Sequence, residues 1–141
     1  MGNASCAAKA EVDARDRAEG GIICDLSPEF VAVEGRMLGH SGIPIEQFKV
    51  QNIQVSEQGD YIRTYEVGMP VDEQKKQVLI MIHGYGAQSI IFWKVMKPLA
   101  EKYHLILVDI LGMGASSRPE FNITDPHEAV NFLIGWLEVW R

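Results

Sequence analysis

Val78-Leu79-Ile80-Met81-Ile82-His83-Gly84-Tyr85-Gly86 decides the architecture. Five consecutive apolar residues, preceded by a polar loop over residues 68–77 and followed by a glycine pair, have the pattern of a strand covered on both faces. Such strands belong to sheets with helices on either side. Downstream, Ile91, Phe92, Val95, Met96, Leu99 and Tyr103 recur near helical spacing, and Pro98 must kink that helix or open a new turn. Leu105-Ile106-Leu107-Val108 then repeats the buried-strand pattern and ends at Asp109. Strand, glycine loop, helix, strand and glycine loop make a βαβ unit, with parallel strands and a right-handed crossover. The fold class is therefore α/β.

Working outward, Phe48 and Val50 and then Ile53 and Val55 alternate with polar residues but shift phase by one, which predicts a bulged strand. Glu57-Gln58-Gly59-Asp60 supplies turn chemistry, and the β-branched and aromatic residues of 61–67 complete a hairpin. Beyond the second glycine loop, Asp125 has the features of an N-cap, with Pro126 at the first helical position and Glu128 three residues after the cap. The face Ala129, Phe132, Leu133, Trp136, Leu137 and Trp140 keeps period 3.6, which predicts a helix to the end of the sequence. Residues 1–30 read as a flexible acidic leader, with three basic against six acidic residues, and a helix over 7–18 would present little but alanine. Residues 31–141 form the patterned domain.

Of the 141 residues, 47% are apolar and 23% charged, the composition of a chain with a packed core. A net charge of -6, from 19 acidic and 13 basic residues, gives no footprint for phosphate backbones, so nucleic acid is excluded as a partner. Cys6 and Cys24 cannot build a disulfide framework or a cysteine-rich zinc site, and His40, His83, His104 and His127 show no ligand spacing. No metal is expected. No run approaches the roughly 18 apolar residues that span a bilayer, so a cytoplasmic protein is expected. Met1-Gly2-Asn3-Ala4-Ser5-Cys6 resembles a myristoylation signal with cysteine at its sixth position. Gly2 and Cys6 are thus lipidation candidates, and two acyl chains would suffice for stable membrane association.

Two glycine clusters carry candidate chemistry. In His83-Gly84-Tyr85-Gly86, the glycines let the backbone turn at the carboxyl end of a parallel strand, where α/β sheets bind ligands and bare N–H groups can face a developing oxyanion. The glycines alone fit a plain tight turn equally well. Asp109-Ile110-Leu111-Gly112-Met113-Gly114-Ala115-Ser116-Ser117-Arg118-Pro119 also follows a strand, but Arg118-Pro119 breaks the helix that a dinucleotide fingerprint needs. No Gly-Lys-Ser or Gly-Lys-Thr exists for a triphosphate loop. A serine nucleophile on a hydrolase elbow needs Gly-x-Ser-x-Gly on a strand-to-helix turn. Gly39-His40-Ser41-Gly42 fails at Ile43 and reads as a loop, and Gly114-Ala115-Ser116-Ser117-Arg118 fails at Arg118. His104 and His127 read as solvated or locally bonded, and Trp93, Trp136 and Trp140 as core.

Taken together, residues 48–141 resemble the first half of the α/β-hydrolase fold. The motifs that carry the resemblance are Leu79 to Gly86, Phe92-Trp93 with Pro98 beyond, and Val108 to Pro119. Ser116-Ser117-Arg118-Pro119, Asp125-Pro126 and Trp140-Arg141 are most similar to the lipid-metabolising subgroup of α/β-hydrolase domain-containing proteins four and five. The resemblance implies that the backbone N–H groups of Tyr85 and Gly86 are oxyanion-hole candidates and that His83 and Gly84 are loop residues. It also implies that Asp109, Gly112, Gly114 and Ser116 build a buttressing loop. The family's nucleophile, acid and catalytic histidine would all follow Arg141, and its elbow strand would pair beside residues 78–82. The expectation is an N-terminal fragment or short isoform of a serine-type hydrolase or acyltransferase-like protein acting on lipid esters, without cofactor and itself inactive. The alternative is a non-catalytic, membrane-anchored adaptor.

Overall fold

The computed structural model describes residues 26–69 and 76–141. Ser27, whose Oγ accepts from Phe30 N at 3.2 Å, caps a first helix α1 (Pro28–Gly39), with Pro28 placed where its missing N–H costs nothing. A 3-10 turn (Ile45–Gln47) leads into β1 (Lys49–Gln54) and β2 (Tyr61–Val67), then β3 (Gln77–Ile82). A second 3-10 turn (Ser89–Phe92) opens α2 (Trp93–Ala100), with Pro98 inside its last turn. Then come β4 (Tyr103–Val108) and α3 (Pro126–Trp140). The four strands form one mixed sheet in the order β1-β2-β4-β3, with β1/β2 and β2/β4 antiparallel and β3/β4 parallel. The fold is α/β, with the βαβ unit and hairpin that the sequence predicts. Gly59, at φ +94, turns the hairpin, and Val55 N donates to Asp60 O across it at 2.7 Å.

The expected bulge in β1 is absent: Lys49 to Gln54 pair with Glu66 to Tyr61 in unbroken register. The phase shift arises because both faces of β1 are packed. Phe48 and Val50 lie with Tyr65, Val67, Leu105 and Leu107 against Leu38, Ile90 and Met96, in a core covered by α1 and α2. Val55 joins Ile62, Val108 and Leu111 on the opposite face, against Phe132, Trp136, Leu137 and Trp140 of α3. Trp140 Nε1 donates to Thr64 Oγ1 at 2.8 Å, which satisfies the indole N–H where the helix docks. Trp93 belongs to neither cluster and meets His40 instead in a tilted ring contact, with centroids 6.1 Å apart.

Between α1 and the sheet lies a buried polar group that hydrophobic patterning does not show. Glu34, 4% exposed, accepts from Arg63 Nε at 3.1 Å, from the Arg63 terminal nitrogen and from Tyr65 OH at 2.7 Å, while Arg63 also donates to Asn52 Oδ1 at 2.9 Å. Burial, with Asp109 and Glu34 nearby, pushes the Tyr65 phenol above its ordinary value.

The reading of residues 78–82 as covered on both faces is corrected. Leu79 and Met81 pack against the α1/α2 core, but Val78, Ile80 and Ile82 are 56%, 47% and 45% exposed. β3 is an edge strand, and α3 reaches only the other strands on that face.

Candidate active site

β3 and β4 run parallel, so the two glycine loops leave the sheet side by side at its carboxyl end. In the first loop Ala87 N donates to Gly84 O at 3.2 Å, and Gly86 takes φ +69, a conformation open to glycine and strained for other residues. The Tyr85 side chain is 96% exposed. Among the described residues, no acceptor meets the backbone N–H of Tyr85 or Gly86.

The second loop is held by Asp109, which is fully buried. Its Oδ1 accepts from Ser89 N at 2.6 Å and its Oδ2 from Ala115 N at 2.8 Å, so one carboxylate ties the start of the 3-10 turn to the loop after β4. Ser116 Oγ donates to Asp109 O at 2.6 Å and accepts from Arg63 N at 2.9 Å. Ser117 Oγ accepts from Tyr61 N at 2.9 Å, and Gly112 N donates to Ser117 O at 2.8 Å, stitching the loop to the start of β2. Gly112 (φ +83) and Gly114 (φ +53) supply the left-handed turns, and a Cβ on Gly114 would lie 2.2 Å from Asp109 Oδ2. His83 bridges the loops: Nδ1 meets Gly84 O at 2.8 Å, and Nε2 accepts from Ile110 N at 3.0 Å. Its Nε2 lies 3.8 Å from Asp109 Oδ1.

His83, Gly84, Tyr85, Gly86, Asp109, Gly112, Gly114 and Ser116 are thus brought into one site, whereas Gly2 and Cys6 lie outside the described residues. Both serines of the second loop are engaged with backbone partners, and Ser41 Oγ accepts from Ile43 N at 3.2 Å within a turn, so none of the three stands as a free nucleophile. Sequence reasoning missed Ser89 and Ile110, which take part through backbone N–H groups and carry no side-chain signal. Among the described residues, no group of three or more His, Cys, Asp or Glu side chains could hold a metal ion. No described helix is long and apolar enough to cross a membrane. The chemistry open to this arrangement is electrostatic: N–H groups without acceptors on a braced turn are donors available to an oxygen that gains negative charge.

Residues 77–133 match the model of the alpha/beta hydrolase fold family. Among curated proteins, a 1-acylglycerol-3-phosphate O-acyltransferase of Arabidopsis thaliana is 40% identical over 63 residues, which cover 45% of this chain and 15% of the relative. The abhydrolase domain-containing protein abhd-5.2 of Caenorhabditis elegans is 30% identical over 118 residues, or 82% of this chain and 26% of the relative. A (lyso)-N-acylphosphatidylethanolamine lipase of Mus musculus is 30% identical over 79 residues, or 56% and 23%. The chain thus spans about a quarter or less of the length of these relatives. Among solved structures, a bacterial membrane phospholipase A superposes on 78% of this chain and 32% of its own, with a TM-score of 0.55 and 23% identity. A haloalkane dehalogenase from Agrobacterium tumefaciens C58 does so on 67% and 28%, with a TM-score of 0.50 and 21% identity. At such identities these two establish the fold alone.

Proposed function

Because this chain belongs, through residues 77–133, to the α/β-hydrolase fold family, we propose that it supplies the oxyanion loop of a serine-type hydrolase or acyltransferase-like domain acting on lipid esters. The observation that carries this reading is the pair of backbone N–H groups of the exposed residues Tyr85 and Gly86, without acceptors among the described residues, at the carboxyl end of β3. In acyl transfer such donors contribute about 3 to 4 kcal/mol each to the transition state, because they are aimed before charge develops. His83, Gly84, Asp109, Gly112, Gly114 and Ser116 hold the turn. A lipid ester is favoured as substrate because the acyltransferase and lipase relatives share that chemistry.

The 141 residues contain no Gly-x-Ser-x-Gly, Ser116 and Ser117 are committed to backbone hydrogen bonds, and Ser89, whose Oγ has no partner among the described residues, is fully buried. By itself the chain therefore lacks a nucleophile and is inactive. Incubated with p-nitrophenyl acetate, a long-chain monoacylglycerol and a lysophospholipid, the purified chain should show no turnover above buffer and no labelling by a fluorophosphonate probe. Turnover abolished by that probe would overturn the proposal of inactivity. A transcript whose frame runs on into Gly-x-Ser-x-Gly would support the enzyme reading against the adaptor. The N-terminal signal adds membrane association: in a eukaryotic cell part of the protein should sediment with membranes and Gly2→Ala should release it, and identical fractionation of the two would refute acylation.

A further inference from the structure

The Gly84–Tyr85 peptide has little to hold it by packing. A Cβ on Gly84 would meet nothing within 4 Å, and the Tyr85 side chain is 96% exposed. What restrains the peptide is its carbonyl: Gly84 O receives Ala87 N at 3.2 Å and faces His83 Nδ1 at 2.8 Å. A carbonyl can only accept, so Nδ1 carries a proton. The Ile110 amide can only donate, so Nε2, 3.0 Å away, carries a lone pair. With its side chain fully buried, His83 is thereby fixed as one species, the neutral ring protonated at Nδ1. In a planar trans peptide the C=O of one residue and the N–H of the next point in opposite directions, so orienting Gly84 O orients the Tyr85 N–H.

We propose that His83 is a positioning residue: its Nδ1–H aims the Tyr85 N–H, and its Nε2, through Ile110, locks that aim to the loop built on Asp109. The shorter of the two contacts on Gly84 O comes from the imidazole, and the same ring is anchored next to the carboxylate that holds Ser89 and Ala115. The role rests on the reading of Tyr85 as an oxyanion donor, but the coupling itself is measurable without any substrate.

In uniformly 15N-labelled chain at pH 7, the His83 ring should show Nδ1 protonated and a scalar coupling across the hydrogen bond between the Ile110 amide nitrogen and Nε2. A ring protonated at Nε2 overturns the proposal. His83→Phe keeps ring shape and removes both nitrogens. In that variant the Tyr85 N–H residual dipolar coupling should change and the Ile110 amide should exchange roughly tenfold faster, the scale of losing one hydrogen bond. Couplings along α3 should stay as in the wild type. A space-filling role for His83 predicts an unchanged Tyr85 coupling, and that result refutes the proposal. If His83→Phe does not fold, the wild-type tautomer and cross-bond coupling still decide. None of these readouts depends on ester turnover, so their failure leaves the hydrolase reading standing, and failure of that reading leaves the coupling intact.

Discussion

Gly112 and Gly114 lie two residues apart in one loop, both with positive φ, +83 and +53, yet their surroundings differ. A Cβ on Gly112 meets nothing within 4 Å, whereas one on Gly114 falls 2.2 Å from Asp109 Oδ2, 2.5 Å from its Cγ and 3.0 Å from Gln88 Cβ. Gly112→Ala should therefore cost only the left-handed backbone, about 1–2 kcal/mol. Gly114→Ala carries the same strain and must also expel the Asp109 carboxylate. That group has no room to yield, being buried and held by Ser89 N at 2.6 Å and Ala115 N at 2.8 Å. Two hydrogen bonds to a charged group, at about 1.5–3 kcal/mol each, are then lost as well. Gly114→Ala should thus lose about 4–8 kcal/mol in all, a large share of the roughly 5–15 kcal/mol typical of a domain. Urea unfolding followed by tryptophan fluorescence gives the difference between the two variants, and amide exchange at Ser89 and Ala115 locates it. Equal midpoints, with Ser89 and Ala115 still protected in Gly114→Ala, would refute the account of Asp109 as the tie between the loops.

Glu34→Leu should destabilise the chain by about 3–5 kcal/mol in urea because it leaves Arg63 buried without its partner, and adding Arg63→Met should restore most of that loss; a double variant no better than the single would refute the pairing. Burial and the charges of Asp109 and Glu34 raise the Tyr65 phenol above the ordinary tyrosine range, so its contribution is fully present below about pH 10 and is lost as pH rises further, when the unfolded phenol ionises first. Alkaline unfolding should coincide with tyrosinate absorbance, and tyrosinate formation from every tyrosine in the folded state would contradict it. Ile80→Lys, at a position 47% exposed on an uncharged edge strand, should raise the monomer fraction in light scattering while moving the urea midpoint little; an unchanged mass distribution would count against self-association through β3.

The elements that were legible are those whose pattern is local. Asp125 is an N-cap because its Oδ1 reaches His127 N and Glu128 N at 2.9 and 3.0 Å, and all three residues lie within one turn. The βαβ unit announces itself through two apolar runs and two glycine loops. Helix α1 did not, although Ser27 and Pro28 mark its start. Its inward face carries Glu34 beside Leu38, and a buried carboxylate looks like a surface residue until Arg63 and Tyr65, far along the chain, are folded onto it. β1 misled for a related reason, since Asn52 takes an inward position that periodicity assigns to an apolar side chain. In the site, the glycines and Asp109 were readable as a turn and a strand end. The brace between them uses Ser89 and Ile110 backbone N–H groups, for which any residue but proline would serve.

The exposed face of β3 and the acceptor-free N–H groups of Tyr85 and Gly86 lie at the same edge of the sheet. Five consecutive apolar residues fit a strand covered on both faces, yet Val78, Ile80 and Ile82 stand about half exposed and β3 pairs on one side alone among the described residues. Fully burying such side chains is worth about 1.5–3 kcal/mol each, so covering this face would recover a sizeable fraction of a domain's stability. The free edge of β3 ends at Ile82, and the next residues are the loop bearing Tyr85 and Gly86. A strand joining that edge in the parallel sense would finish level with Ile82 and deliver its own carboxyl end next to the two N–H groups, where α/β sheets place reacting residues. An antiparallel strand would satisfy the same edge but deliver its amino end. Stability alone is indifferent between the two directions, whereas the oxyanion reading requires the parallel one. On the proposed chemistry, any strand that paired with this edge would therefore be selected by what its carboxyl end carries as well as by the apolar face it covers.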